Sequence, residues 1–147
     1  MKDPPSCGFL ASEEALERFF AAFFDFSLPR AEWSHGAHVA LAAYLLYDSD
    51  VPTVLPKVRQ ALSTYIEACG GRNADDTGYH ETLTVFWLKV ISRKVREEWF
   101  DSRLEAVRSM VAVYGEAREL ATQYYSYDLK SDTLSRKQWV EPDLRLI

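Results

Sequence analysis

The chain has few cysteines and no long apolar stretch. Its 147 residues contain two cysteines, Cys7 and Cys69, which are too few for the disulfide framework of a small secreted domain. No apolar run reaches the roughly 18 residues of a membrane-spanning helix, and residues 1–6 are polar with two prolines. We therefore expect two free thiols and a cytoplasmic protein that does not bind membranes.

The chain also lacks an excess of positive charge. It carries 17 lysines and arginines against 22 aspartates and glutamates, which gives a formal net charge of -5. The cationic residues are scattered along the sequence, so no basic surface for nucleic acid or for anionic lipid is predicted. A neutral or cationic small ligand fits this net charge better than an anionic one does. The sequence does not indicate the oligomeric state.

The hydrophobic content is that of a folded domain. Hydrophobic residues make up 48% of the chain and aromatic residues 14%, and a chain of this length buries roughly two-thirds of its unfolded surface. No internal repeat or low-complexity linker suggests a second domain. We expect a flexible leader over residues 1–11 and a single helical domain over residues 12–147.

The apolar residues recur at helical spacing along most of the chain, which predicts an all-α, up-down bundle of about five helices. Thr77 is a candidate N-cap for the fourth helix. That helix is apolar enough to occupy the centre of the fold. Gly115 is a candidate break in the fifth helix. The first predicted helix covers residues 12–24, and the second runs from about residue 32 or 34 to residue 47. The third begins between residues 52 and 56 and ends near residue 69, and the last two cover about 79–99 and about 102–122. The tail, residues 124–147, is predicted to be irregular with one short turn near residues 134–138.

The chain has only three histidines, and the predicted topology brings them together. His35 and His38 lie in the first turns of the second helix, and His80 lies in the first turn of the fourth. Short connections make consecutive helices antiparallel, so the second and fourth helices run in the same direction. Their N-termini then share one end of the bundle, where we expect the three imidazoles to form one polar site.

Several features of this site favour a metal ion. Residues three apart on a helix have side chains about 5–6 Å apart on one face, which suits two imidazoles on one ion. Helix N-termini disfavour imidazolium and so favour the neutral, metal-binding ring, but they also oppose a bound cation, which a carboxylate must offset. We therefore predict one divalent ion, zinc or non-haem iron. Its predicted ligands are His35, His38, His80 and Glu81.

Two familiar metal motifs are incomplete in this chain. The segment His80-Glu81-Thr82-Leu83-Thr84 begins like the zinc-protease motif HExxH, but Thr84 stands where that motif needs a histidine. Residues 32–35 have the Glu-x-x-His form used by di-iron bundles, but a second copy is missing. A mononuclear site with open positions for water or substrate stays compatible with the sequence.

Three segments of the chain resemble a family of small, largely uncharacterised bacterial proteins. These are Trp-Ser-His-Gly-Ala-His at residues 33–38, Tyr-His-Glu-Thr at residues 79–82 and Pro-Asp at residues 142–143. The resemblance covers the chain from about Leu28 onward and brings no activity with it. It implies that the tail belongs to the domain and closes over the histidine end, where Arg136, Trp139 or Asp143 would support the site.

Three functional hypotheses follow from the histidine site. In the first, the metal ion activates water or oxygen for a reaction on a small molecule. In the second, the protein is a metal-free enzyme: His80 or His38 is the general base, Glu81 orients it, and Trp33 and Tyr79 line the ligand pocket. In the third, the protein is a non-catalytic binding module, and its histidines form a buried hydrogen-bond network.

Overall fold

The computed structural model describes residues 5–147, with side chains from residue 8 onward. The side chain of Cys7 therefore lies outside the described part of the chain, and Cys69 is a free thiol. The predicted leader is too long, because Pro5–Leu10 form a 3-10 helix and Phe9 is buried. The Phe9 ring stacks on Phe19 with 4.1 Å between ring centroids, so packing begins before residue 12.

The described chain contains six α-helices and no β-strand, which confirms the predicted all-α class. The helices are α1 (Glu13–Phe24), α2 (His35–Leu46), α3 (Val51–Ala68), α4 (Glu81–Glu97), α5 (Arg103–Tyr114) and α6 (Thr133–Lys137). Over residues 5–147, no helix has both the length and the apolarity needed to cross a bilayer.

Side-chain caps fix where the helices begin. Ser12, Ser34 and Asp50 each accept a hydrogen bond from the backbone N–H three residues later, and Ser102 and Asp132 do the same for α5 and α6. Such a cap satisfies one of the unpaired N–H groups in the first turn. The prediction of Thr77 as the cap of α4 is wrong, because the imidazole of His80 has that position.

Helix α2 occupies the centre of the bundle and lies against α4 and α5. It is rich in alanine, and small side chains let neighbouring helices approach closely. Its buried residues are Gly36, Ala37, Val39, Ala40, Leu41, Ala42, Ala43 and Leu46. The central position predicted for α4 is therefore shared with α2, whose lack of a single polar face hides this role from a search for amphipathic helices.

Helix α5 runs antiparallel to α2. At its first residue, Arg103 hydrogen-bonds the carbonyl of Tyr44 and pairs with Asp48 at 2.6 Å, near the C-terminal end of α2. At its last residue, the carbonyl of Tyr114 contacts His35, the first residue of α2. The helix ends eight residues before the predicted boundary at residue 122, and Gly115 caps it.

The C-terminal segment packs onto α4 instead of extending away from the domain. It contains a short 3-10 helix, Leu129–Ser131, followed by α6, close to the turn predicted near residues 134–138. A second hydrophobic cluster joins this segment to α4; its buried members are Phe86, Val90, Ala121, Tyr125 and Leu129. The tail is thus part of the folded domain.

Candidate functional site

The structure places the three histidines in two different surroundings. His35 and His38 lie in the first turn of α2, and the charge of Arg118 acts on both rings. His80 is the N-cap of α4 and faces the C-terminal segment, where the charge of Arg136 acts on its ring. Helix α4 also contacts the start of α2, because the His35 ring packs edge-on against Trp87 in the second turn of α4, with 4.8 Å between ring centroids.

Both ring nitrogens of His38 are hydrogen-bonded within the protein. The Trp33 indole donates to Nε2 at 3.0 Å, so the proton must be on Nδ1, which donates to the Ser34 carbonyl at 2.9 Å. The surrounding protein desolvates the ring and lowers the pKa of His38 to about 4, although part of the residue is exposed. His38 is therefore a neutral ring held in one tautomer.

Trp33 was predicted to line a ligand pocket, and it is firmly packed. Its indole stacks on Phe23 with 4.0 Å between centroids and also lies against Tyr65. This packing fixes the direction of the indole N–H toward His38. Trp33 thus sets the orientation of a histidine from within the hydrophobic core.

His80 also uses both ring nitrogens for the fold. Its Nδ1 accepts the backbone N–H of Leu83 at 3.1 Å, so Nε2 carries the proton and donates to the Leu129 carbonyl at 2.8 Å. Burial is the largest effect that lowers the pKa of His80; the bond to Leu129 opposes it, and the charge of Arg136 adds to it. The imidazole joins the start of α4 to the C-terminal segment.

His35 differs from the other two histidines in having a free lone pair. Its Nε2 donates to the Tyr114 carbonyl at 3.1 Å, which leaves Nδ1 unprotonated. Among the described residues Nδ1 has no hydrogen-bond partner, and it is not sealed from solvent. Desolvation lowers the pKa of His35 against the opposing effect of the Tyr114 bond, so the ring is neutral at pH 7.

Glu81 and Tyr79 belong to one cluster with Arg59 of α3. The Arg59 guanidinium forms two hydrogen bonds with the Glu81 carboxylate, at 2.9 and 2.7 Å, and the Tyr79 hydroxyl donates to the same carboxylate at 2.7 Å. Burial acts to raise the pKa of Glu81, but the hydrogen bonds and the charge of Arg59 outweigh it and hold this pKa below its usual range. Glu81 is therefore an ionised partner of Arg59, and it makes no hydrogen bond to a histidine.

Thr82 and Arg136 attach the C-terminal segment to the start of α4 and to the loop before it. The buried hydroxyl of Thr82 donates to the Gln138 carbonyl at 2.7 Å and accepts the Val140 N–H at 3.0 Å. Arg136, which the resemblance suggested as a supporting residue, is buried and donates to the Gly78 carbonyl at 2.8 Å. Helical spacing alone cannot show these contacts, because their partners are more than fifty residues away.

The other two residues suggested by the resemblance make contacts only within the C-terminal half. Trp139 donates its indole N–H to Glu141 at 3.0 Å. Asp143 accepts the Ser126 N–H at 2.9 Å and also bonds the Ser126 hydroxyl. Asp143 therefore stabilises the C-terminal segment itself, whereas the Trp139 ring also packs on α4, where its centroid lies 5.0 Å from Lys89 Nζ.

The predicted metal ligands do not form one group in this arrangement. Within the part of the chain that the structure describes, no three His, Cys, Asp or Glu side chains lie together in a way that could hold an ion. The one acceptor nitrogen of His38 is taken by the Trp33 indole and that of His80 by the Leu83 N–H, and the Glu81 carboxylate is paired with Arg59. Binding an ion with all four predicted ligands would require these bonds to be exchanged.

Two open cavities lie away from the imidazoles. One, of about 540 Å³, is formed by the end of α2, residues 48–50 and the last turns of α4. The other, of about 380 Å³, lies between residues 8–9 and α1. Neither has a histidine in its wall; the charged residues that line them are Asp48, Asp50 and Arg96 in the first and Arg18 and Glu32 in the second.

Comparison of the chain with sequence profiles of known protein families, with curated proteins and with solved structures found no match. The resemblance carried by residues 33–38, 79–82 and 142–143 therefore stays a prediction. The functional argument rests on the geometry of the described side chains.

Proposed function

We propose that the protein binds a small molecule at the start of α2 and that His35 is the general base of this site. The observation that carries the proposal is the unused lone pair on His35 Nδ1, since the other two histidines use both nitrogens for hydrogen bonds within the fold. We further propose that the protein works in the cytoplasm, which suits the free thiol of Cys69.

The surroundings of His35 favour proton transfer. A neutral imidazole with one free nitrogen accepts a proton, and the carbonyl of Tyr114 holds the opposite N–H and stabilises the imidazolium that forms. The proton of a ligand C–H or O–H would move to Nδ1 and leave its electron pair on the ligand atom. The His35 ring packs edge-on against Trp87, and this contact restricts the orientation of the imidazole.

This proposal changes the residues that the sequence suggested for the reaction. His80 and Glu81 were the predicted acid-base pair, and Tyr79 was expected to line the pocket. Their contacts support structural roles, because His80 caps α4 while Glu81 and Tyr79 bond Arg59 and each other. The structural hydrogen-bond network of the third hypothesis thus suits His80 and His38, and His35 keeps the chemical role.

A metal ion at this site stays a separate prediction. An imidazole that donates one N–H to a carbonyl and leaves the other nitrogen free has the geometry of many metal-binding histidines, and His35 has it. His38 and His80 have no free lone pair in this arrangement, and the Glu81 carboxylate is paired with Arg59, so we assign no step to an ion. Elemental analysis of untagged protein tests the metal prediction. About one equivalent of zinc or iron per chain supports it. Less than about a tenth of an equivalent, with no uptake when metal is added, contradicts it.

Chemical modification tests which imidazole has the free lone pair. Diethyl pyrocarbonate reacts with unprotonated, accessible imidazole nitrogens, and peptide mass spectrometry reports the rate at each histidine. We expect His35 to react before His38, although His38 is the more exposed residue. A ligand that raises the melting temperature in a thermal-shift screen should protect His35 from modification. The same ligand should not raise the melting temperature of His35→Gln. Equal or faster reaction at His38 or His80 would overturn the proposal.

A further inference from the structure

The turn after α5 brings a cation to the proposed site. The carbonyl of Tyr114 accepts two hydrogen bonds, from the Ala117 N–H at 3.0 Å and from His35 Nε2 at 3.1 Å. Arg118 directly follows Ala117 in the chain. One backbone oxygen therefore joins the first residue of α2 to the turn that carries Arg118, and this connection does not depend on any surface side chain.

The guanidinium of Arg118 is available to a ligand. The residue is exposed, and within residues 8–147 it forms no ion pair. Glu116 and Glu119 flank it in sequence without pairing with it. Its charge acts on both imidazoles of α2 and lowers the pKa of His35 and of His38. The Arg118 guanidinium is thus the cation whose charge acts on the start of α2.

We infer that Arg118 determines the ligand class of this site by binding a carboxylate or phosphate group on the small molecule that faces His35. The inference rests on the proposed function, because it places the ligand against His35. A guanidinium suits planar carboxylates and phosphates, with which it forms paired hydrogen bonds. The positive end of the α2 dipole adds a favourable field in the same place. This ligand class is opposite to the one that the net charge favours.

Titration with two simple anions tests the inference. Inorganic phosphate and acetate are added separately to the full chain at constant ionic strength, with chloride as the balancing anion, and the ring resonances of His35 and His38 are followed by NMR. We expect a saturable shift with at least one anion. The dissociation constant should rise at least tenfold in Arg118→Gln and less in Arg118→Lys. Arg18→Gln, which removes the same charge from an exposed position on α1, should behave like the wild type.

The outcomes separate this inference from the proposal beneath it. Saturation by phosphate alone or by acetate alone identifies the anionic group, and both results support the inference. No saturable shift with either anion, or saturation in Arg118→Gln equal to that of the wild type, overturns it. The reactivity of His35 toward diethyl pyrocarbonate does not depend on Arg118 as a ligand, so the role of His35 survives or fails in its own experiment.

Discussion

The Nε2 atom of His35 lies 3.1 Å from the carbonyl oxygen of Tyr114, a residue 79 positions further along the chain. Since a carbonyl oxygen only accepts hydrogen bonds, this contact places the imidazole proton on Nε2 and leaves Nδ1 bare. Helix α5 thus decides which nitrogen of a residue in α2 is available for chemistry.

The tautomers of the three histidines should differ in a defined way. We expect His35 and His80 to carry the proton on Nε2 and His38 to carry it on Nδ1, because their partners impose these forms. Nitrogen chemical shifts from a long-range proton-nitrogen correlation spectrum at pH 7 distinguish the two tautomers. A protonated Nδ1 on His35 would contradict the assignment of its free lone pair.

Replacement of His80 should loosen the C-terminal segment. His80→Ala removes the acceptor of the Leu83 N–H and the donor to the Leu129 carbonyl. Leaving such groups unpaired costs about 1 to 3 kcal/mol of unfolding free energy. His80→Asn keeps a side-chain cap and should lose less. Urea unfolding gives the free energies, and faster amide exchange across residues 129–140 in His80→Ala would locate the effect. Unchanged exchange there would contradict the joining role of His80.

The hydroxyl of Thr82 should matter more than that of Thr84. Thr82→Val removes the buried hydroxyl that donates to the Gln138 carbonyl and accepts the Val140 N–H. We therefore expect the unfolding free energy to fall by about 1 to 3 kcal/mol. Thr84→Val is the matched control, since the Thr84 hydroxyl donates to the His80 carbonyl one turn earlier and makes no bond to the C-terminal segment. Its loss should cost at most about 0.5 kcal/mol. Equal losses in urea unfolding would show that the hydroxyl of Thr82 is not what holds the tail.

The ion pair between Arg59 and Glu81 should contribute measurably to stability. Only 11% of the Glu81 side chain is exposed, whereas 45% of the Arg59 side chain is, so solvent screens the pair in part. A double-mutant cycle with Arg59→Met and Glu81→Gln should give a coupling energy of about 1 to 2 kcal/mol.

The exposed pair of Arg93 and Glu97 is the matched control for that cycle. It is spaced i,i+4 on α4 with more than half of each side chain exposed, so its coupling should be at most about 0.5 kcal/mol. If the two cycles gave the same value, burial of Glu81 would not be strengthening its pair with Arg59.

Acidification should destabilise the fold through His38. Its pKa is lowered from 6.5 to about 4 in the folded protein, so the folded state binds this proton less well than the unfolded chain does. The stability that depends on the neutral ring is fully present above pH 6.5 and is lost as the pH falls from 6.5 toward 4. The unfolding free energy measured across this range should fall less steeply in His38→Gln than in the wild type. Parallel curves for the two proteins would refute the shift.

Local patterns in the sequence were enough to predict the helical class and most helix starts. The apolar spacing predicted α1, and the serines and aspartates before the helices act as caps because a cap needs only the next three residues. Errors arose where packing overrode the pattern. His80 replaced Thr77 as the cap of α4, and α2 shares the centre predicted for α4 alone. The structure ends α5 at the break predicted at Gly115, so the helix does not continue to residue 122.

The sequence by itself placed His35, His38 and His80 in the first turns of their helices, and tertiary structure alone decided what each ring does. The ring partners Tyr114 and Leu129 lie 79 and 49 residues from their histidines, so no local spacing contains them. A neutral imidazole has one donor and one acceptor, and the fold uses both on His38 and on His80. His35 keeps a free lone pair because the folded chain places a hydrogen-bond partner at only one of its two ring nitrogens. It is therefore the histidine that is available for proton transfer.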